Sequence, residues 1–212
     1  MQKYPRTRHL PNSRDIGGDD KVWPSWPPWE GKGIVVSAKM DGENSTFMRD
    51  SIFARSPNGG SHPSRSWVRG LHASIAPDIP EGWRICGENL FARHSIAYSE
   101  LPSYFMVFAI ILPGGTFLPW DDVEESCEIL GLETVPVLYR GPYSREALEQ
   151  FEQFACPYCA EPEGFVVRLS GAFCDFGNSV AKFVARAPAC GQHWMFQPVV
   201  PNSLAVCQGK SE

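Results

Sequence analysis

The sequence predicts an α+β domain built mainly of antiparallel β-sheets with flanking helices. Two patterns support this fold class: short segments rich in β-branched and aromatic residues recur along the chain, and amphipathic helical stretches interrupt them at irregular intervals. There is no internal repeat and no low-complexity tract. At 212 residues, the chain is long enough for one domain with a substantial core.

The N-terminal third predicts an extended segment, three strands and a helix. Residues 1–33 carry three prolines among three tryptophans in "VWPSWPPWEGKG", which favours an extended, aromatic-anchored segment. The segments "GIVVSAK", "NSTFMR" and "SIFARS" follow, with Asp41-Gly42 and Asp50 as turns, and predict a three-stranded antiparallel meander. Hydrophobic residues at intervals of four then predict a helix from Pro63 to Ile75.

The rest of the chain predicts five strands and two helices. The segments "WRICGENLF" and "SYFMVFAIIL" are typical of buried strands and flank an irregular loop, "ARHSIAYSELP". A helix is predicted from about Asp121 to Leu130, with Gly131 ending it, and a second from Ser144 to about Phe154. The remaining predicted strands are "TVPVLY" between these helices, then "EGFVVRL" and "SVAKFVAR".

The composition is that of a soluble globular protein, with 43% hydrophobic and 20% charged residues. No apolar run approaches the roughly 20 residues that a membrane span needs, and the N-terminus has no apolar signal-peptide core. The seven cysteines are scattered, which fits a reducing compartment. We therefore expect a cytoplasmic protein without a membrane partner.

The charge is unevenly distributed. The formal net charge of −5 argues against a protein that coats nucleic acid by bulk electrostatics. Residues 1–70 nevertheless hold 11 Lys and Arg against 7 Asp and Glu, whereas residues 71–212 hold 8 against 17.

Lys39 is the first candidate functional residue. It ends the apolar run Ile34-Val35-Val36 directly before a turn, where burying an ammonium group costs free energy. A lysine amine attacks phosphorus only when neutral, so a nucleophilic lysine needs its pKa lowered from about 10.4 by burial and nearby positive charge. The alternative is a chance lysine on a surface hairpin, and the "KMDG" segment alone leaves both open.

Further charged residues end or begin other apolar strands. They are Arg55, Glu88, Glu163, Arg168 and Lys182. On adjacent strands they could form one pocket in which cations bind phosphates and carboxylates bind a ribose hydroxyl and a divalent metal. Each residue alone also fits an ordinary exposed strand or turn position.

This order of motifs resembles the covalent nucleotidyltransferase superfamily of ATP-dependent ligases and capping enzymes, and implies an ATP-grasp-like nucleotidyltransferase fold. The stretches "ARSPNGGSHPSRSWV", "RICGENLFARHSIAYSELPSYFMVFAI", "EGFVVR" and "HWMFQPVVPN" are similar to the RNA ligase family, close to the bacteriophage-type double-strand RNA ligase domain. The resemblance extends from about residue 34 to 202. It implies an adenylyltransferase domain over residues 34–186 and a C-terminal tail over residues 187–212.

The resemblance implies roles for the catalytic and metal-binding residues. Lys39 would form a lysyl-AMP adduct, and Lys182 would pair with the α-phosphate and lower the pKa of Lys39. Glu163 would help to hold the catalytic metal, Mg²⁺ with Mn²⁺ as an alternative. Glu88 would contact the ribose or a metal-linked water.

The resemblance also implies residues that bind the nucleotide and the RNA. Arg55 would contact the ribose or the RNA end, and Phe105 or Phe108 would stack on adenine; ordinary core positions are the alternative for both phenylalanines. Three departures weaken the match: Ala38 replaces a glutamate common before the lysine, Ala109 replaces an aspartate often found after the aromatic strand, and Val184 replaces a second lysine in the last motif.

The implied function is an ATP-dependent RNA ligase. It would adenylylate itself, transfer AMP to an RNA 5′-phosphate and join that end to a 3′-hydroxyl, acting on RNA ends or nicked duplex RNA. Because only a short tail follows the last motif, we expect weak RNA binding unless a partner protein assists. The alternatives are a DNA ligase, an mRNA guanylyltransferase, or a non-catalytic module that binds nucleotides or RNA ends.

One motif stands outside this assignment. The segment "CPYC" places Cys156 and Cys159 three residues apart in the loop before "EGFVVR". Such a pair is typical of half a zinc site or of a redox pair. No second C-x-x-C is present in the sequence to complete a zinc site.

Overall fold

The computed structural model describes residues 3–54, 62–185 and 198–206. These residues form ten strands: β1 Arg8–His9, β2 Gly33–Ala38, β3 Glu43–Met48, β4 Ser51–Ala54, β5 Arg84–Asn89, β6 Phe105–Ile111, β7 Glu133–Thr134, β8 Val137–Pro142, β9 Gly164–Leu169 and β10 Val180–Val184. The α-helices are α1 Ser66–Ile75, α2 Trp120–Leu130 and α3 Arg145–Glu149. Short 3₁₀ turns cover Pro63–Arg65, Ala76–Asp78, Gln150–Gln153 and Phe176–Asn178.

The strands form two five-stranded sheets. The first sheet has the order β1-β10-β9-β2-β8, and the second has the order β4-β3-β5-β6-β7. Neighbouring strands are antiparallel except for the short outer pairs β1/β10 and β6/β7, which are parallel. The predicted α+β fold with mainly antiparallel sheets is confirmed.

The predicted three-stranded meander is wrong. β3 and β4 pair as a hairpin, but β2 lies in the other sheet between β9 and β8. The Lys39 N–H continues the β2 ladder by donating to the Gly164 carbonyl at 2.8 Å. The Asp41 carboxylate accepts hydrogen bonds from Ser95 and Ile96 instead of closing a hairpin turn. The segment from Lys39 to Gly42 therefore carries the chain from one sheet to the other.

The predicted strand "TVPVLY" also divides between the sheets. Its first part is β7 in the second sheet, and its last part belongs to β8 in the first. Pro136 lies between them and has no N–H to donate to a ladder, which accounts for the break.

The three predicted helices are present, but the third is shorter than predicted: α3 ends at Glu149, and a 3₁₀ turn over Gln150–Gln153 takes the place of the α-helix expected to about Phe154. α1 follows the 3₁₀ turn that begins at Pro63. α2 ends at Gly131, whose φ of 64° lies in the left-handed region that glycine adopts without strain. The Ser144 hydroxyl accepts a hydrogen bond from the Ala147 N–H and caps α3, which continues as a 3₁₀ turn.

Apolar side chains pack between the sheets and on both outer faces. Val35 of the first sheet and Met106 of the second belong to one buried cluster between the sheets. The N-terminal segment contains the short strand β1 and several turns, and it buries Trp23 and Trp29 against the outer face of the first sheet. In the part of the chain that the structure describes, no helix has the length and apolar character to cross a membrane.

Candidate active site

A cavity of about 980 Å³ lies between the two sheets. Strands of both sheets line it, and so do residues 3–7 and 17–20 of the N-terminal segment. Lys39, Glu88, Phe108, Arg168 and Lys182 all contribute to its wall. Glu88, Arg168 and Lys182, which are far apart in the sequence, therefore lie around one cavity with Lys39.

Lys39 lies where β2 ends and the chain crosses between the sheets. Its Nζ donates to Glu163 Oε2 at 2.5 Å, and the two side chains are 24% and 9% exposed. Burial alone would lower the pKa of Lys39, but the charges of Glu163, Glu88 and Asp41 outweigh it and raise the pKa above its ordinary value. The structure thus differs from the expectation of a lowered pKa: the ammonium form is stabilised.

The turn after Lys39 is shaped by close backbone contacts. A Cβ on Gly42 would lie 2.5 Å from the Asn89 carbonyl oxygen, so only glycine fits there. The Gly42 N–H donates to Glu88 Oε1 at 3.2 Å, and the Asp41 N–H donates to the Tyr98 hydroxyl at 2.8 Å. These bonds hold the turn against the second sheet.

Glu88 contributes to the cavity wall a carboxyl group whose pKa is well above its ordinary value. Burial raises its pKa to about 8, and the negative charges of Glu163 and Asp41 act in the same direction. Lys39 and the Gly42 N–H oppose this shift only in part. Glu88 can therefore exchange a proton near neutral pH, or bind a cation that replaces the proton.

Lys182 lies on β10 and faces the same cavity. Its Nζ is 3.5 Å from Asp20 Oδ1, and Asp20 Oδ2 is 3.3 Å from His9 Nε2. Burial lowers the pKa of Lys182, Asp20 opposes the shift, and the charge of Lys39 adds to it. The two cavity lysines thus influence one another electrostatically, although each is paired with its own carboxylate.

The two phenylalanine candidates lie on opposite faces of β6. Phe108 lines the cavity, and its ring centroid is 5.0 Å from that of Tyr4. Phe105 is fully buried on the other face and stacks on Phe47 at 4.0 Å. Because Phe105 is part of the outer core, the structure keeps only Phe108 in position to contact a ligand in the cavity.

Arg168 is a buried cation without a carboxylate partner in the described residues. It is 5% exposed, and its guanidinium donates to the Leu118 and Leu169 carbonyls. Burial lowers its pKa to about 10. Its Nη1 has no hydrogen-bond partner, so a donor remains in the wall of the cavity.

The position of one predicted site residue is not described, and other cavity residues were not predicted. Arg55 lies outside the described residues. Tyr4 and Asp20 line the cavity from a segment that was predicted only to anchor aromatic side chains. The Gly17-Gly18 pair before Asp19 signals a turn, but no sequence pattern links that turn to Lys182 on β10.

Residues 32–184 match the family model for RNA ligase. The chain belongs to the RNA ligase family. No curated protein sequence matches it. Among solved structures, a variant of the Naegleria gruberi RNA ligase with ATP and Mn is similar at 14% identity, with a TM-score of 0.54, covering 74% of this chain and 50% of that chain.

A second similar structure is an archaeal ATP-dependent RNA ligase. It is 15% identical with a TM-score of 0.53, and the match covers 87% of this chain and 48% of that one. At this level of identity the likeness supports the fold that RNA ligases share. The chain spans about half the length of the solved RNA ligases that it matches.

Proposed function

We propose that this chain is an ATP-dependent RNA ligase in which Lys39 forms a covalent lysyl-AMP intermediate. The observation that carries the proposal is the position of Lys39. It is the amine at the crossing between the sheets, it faces a nucleotide-sized cavity, and Glu163 and Glu88 flank it. Membership of the RNA ligase family supports the same chemistry.

The cavity suits a nucleoside triphosphate. The aromatic ring of Phe108 and the apolar side chain of Val166 offer surfaces for a base at one part of the wall. The ammonium groups of Lys39 and Lys182 offer charge for the α-phosphate. Arg168 supplies a further buried donor.

The carboxylates suit Mg²⁺ or Mn²⁺ brought in with the nucleotide. Among the described residues, no group of three His, Cys, Asp or Glu side chains could hold a metal alone. Mg²⁺ commonly binds through one or two carboxylates together with substrate phosphates. Glu163 and Glu88 could provide the carboxylates, and the nucleotide would provide the phosphates. The metal would neutralise charge on the phosphates.

In the proposed reaction, the Lys39 amine must lose its proton before it attacks the α-phosphate and displaces pyrophosphate. Glu163 holds that proton in an ion pair, so Glu163 is the nearest acceptor. Lys182 would stabilise the negative charge that develops on the α-phosphate. AMP would then pass to an RNA 5′-phosphate, and a 3′-hydroxyl would displace it.

The test is covalent labelling with α-labelled ATP and magnesium, followed by denaturing electrophoresis. The wild type and the exposed control Lys32→Ala are expected to carry label, and Lys39→Ala is not. Mass spectrometry of the starting protein establishes whether it is already adenylylated. An unmodified wild type that takes up no label would contradict the lysyl-AMP proposal and favour a non-catalytic binding module.

The two alternative enzymes that would use the same lysine chemistry can be distinguished by their substrates. Labelling with GTP instead of ATP would indicate an mRNA guanylyltransferase, and sealing of nicked DNA in preference to nicked RNA would indicate a DNA ligase. With a net charge of −5, we expect nicked duplex RNA to bind more weakly than about 1 μM unless a partner protein contributes cationic surface.

A further inference from the structure

Cys156 and Cys159 form a close pair at the base of the loop that leads to Glu163. The two residues face one another as an antiparallel bridge pair. Residues paired in this way have Cα atoms about 4.5–5.5 Å apart, within the range of about 4.4–6.8 Å that disulfides span. Both side chains are partly exposed and neither is in a disulfide.

The two thiols have different character. The Cys156 sulfur accepts hydrogen bonds from the Cys159 thiol and from the backbone N–H groups of Tyr158 and Cys159, and these bonds lower its pKa although burial opposes them. The pKa of Cys159 is raised, first by the hydrogen bond to Cys156 and then by burial. Because the backbone N–H groups of Tyr158 and Cys159 stabilise negative charge on the Cys156 sulfur, we assign Cys156 as the attacking thiolate and Cys159 as the resolving thiol.

The other described cysteines lack this arrangement. Cys86 and Cys127 are buried, and burial raises the pKa of both thiols. Cys174 is exposed, and its sulfur lies 3.3 Å from the Thr116 hydroxyl instead of near another thiol.

The pair is also connected to the residues around Lys39. Tyr158 accepts a hydrogen bond at its carbonyl from the Ser99 N–H, and Cys159 packs on the cluster that contains Tyr98. The Tyr98 hydroxyl accepts from the Asp41 N–H in the turn that follows Lys39.

We propose that Cys156 and Cys159 form a reversible thiol–disulfide site that controls the position of Glu163 relative to Lys39. The Cys156 thiolate attacks a low-molecular-weight disulfide such as glutathione disulfide and releases one thiolate. Cys159 then loses its proton to solvent and attacks the Cys156 sulfur, which releases the second thiolate. Two protein thiols become one disulfide, and the two electrons reduce the small disulfide to two thiols.

The first test measures the site without reference to activity. The full chain is equilibrated in glutathione buffers from reduced to oxidised, quenched with acid, alkylated and digested. If an intramolecular disulfide forms, the peptide that contains both cysteines should escape alkylation and be about 2 Da lighter than the same peptide with two free thiols. Reductant should reverse this change. Cys174→Ser should behave as the wild type, and Cys159→Ser should accumulate glutathione on Cys156.

Two results would overturn the redox site. One is full alkylation of both thiols in every buffer. The other is stoichiometric zinc in the purified protein that must be removed before the thiols react, because that indicates a metal ligand pair.

The second test concerns control of the active site and rests on the proposed function. Oxidation is expected to slow labelling by ATP by about tenfold, because small displacements of catalytic groups are costly. Reductant should restore the rate, and Cys156→Ser should not respond to oxidant. A disulfide that forms without changing the labelling rate would overturn the control of Glu163, whereas a reduced protein that never labels would count against the proposed function alone.

Discussion

The Lys39 ammonium, which lines the cavity between the sheets, forms an ion pair 2.5 Å long with the Glu163 carboxylate. The pair joins the end of β2 to the residue that precedes β9. Glu163 is buried, and burial raises its pKa, while the charge of Lys39 opposes that shift. The nucleophile proposed for this protein is therefore held protonated, and its proton has a defined acceptor.

The substitution Glu163→Gln should separate two roles of this carboxylate: it keeps Lys39 protonated, and it is the proposed acceptor of the Lys39 proton. Loss of the carboxylate removes the nearest charge that raises the pKa of Lys39, while an amide oxygen can still accept a hydrogen bond. Without nucleotide, we expect Lys39 to react faster with an acylating reagent at pH 8, by about tenfold for each unit by which its pKa falls. Labelling by ATP should decrease. Peptide mass spectrometry after timed acylation measures the first effect.

Glu161→Gln is the matched control for this experiment. Glu161 is exposed and lies in the same loop as Glu163. The control should leave both rates near those of the wild type. Equal Lys39 reactivity in Glu163→Gln and the wild type would show that the ion pair does not control protonation.

The local structure of this fold could be predicted from the sequence more fully than its long-range order. Helices and most strands follow from apolar periodicity, caps and turn residues. The crossing from β2 to β3 could not be predicted, because Asp41-Gly42 has the residue types of a hairpin turn. The crossing depends on hydrogen bonds from Ser95 and Ile96 to Asp41, which are more than fifty residues away.

The candidate site shows the same division. Lys39, Glu88 and Lys182 could be selected because charged side chains at apolar strands are costly unless they have partners or a function. Asp20 could not be selected, because its pairing with Lys182 depends on the N-terminal segment folding back over β10. The raised pKa of Lys39 likewise depends on three carboxyl groups that only the tertiary fold brings together.

Glu88→Gln should stabilise the fold in a pH-dependent way. The pKa of Glu88 is about 8 in the folded state against an ordinary value of 4.5, so the folded state keeps a proton that the unfolded state releases. Stability therefore falls as pH rises from about 4.5 to 8. Glutamine has no proton to lose, so we expect Glu88→Gln to melt about 2–5 °C higher at pH 8. The difference should be smaller at pH 5.

Thermal unfolding at both pH values measures this effect. A difference in melting temperature that is the same at pH 5 and pH 8 would contradict the raised pKa of Glu88. Labelling by ATP should decrease in the same variant if Glu88 binds the ribose or the metal. The substitution is therefore expected to lower activity while it raises stability.

Phe105→Ala should mainly reduce stability, whereas Phe108→Ala should mainly raise the KM for ATP. Phe105 is fully buried against Phe47, so its truncation should cost about 3–5 kcal/mol of unfolding free energy and leave the affinity for ATP nearly unchanged. Phe108 is only partly buried, so its truncation should cost less stability and raise the KM for ATP by about tenfold. Denaturant unfolding and the ATP dependence of labelling measure the two quantities. A larger KM effect at Phe105 would contradict the assignment.

Asp20→Asn tests whether the N-terminal segment competes with the nucleotide for Lys182. The Asp20 carboxylate occupies a place 3.5 Å from the Lys182 ammonium, which a phosphate group would otherwise take. Removing this negative charge should lower the KM for ATP by about two- to fivefold at low salt, and the gain should shrink as salt screens the partly exposed pair. Asp19→Asn, in the same wall of the cavity, is the control and should change KM less. An increase in KM for Asp20→Asn would instead indicate that Asp20 orients Lys182 for phosphate binding, because loss of the carboxylate would then leave the ammonium in an unproductive position.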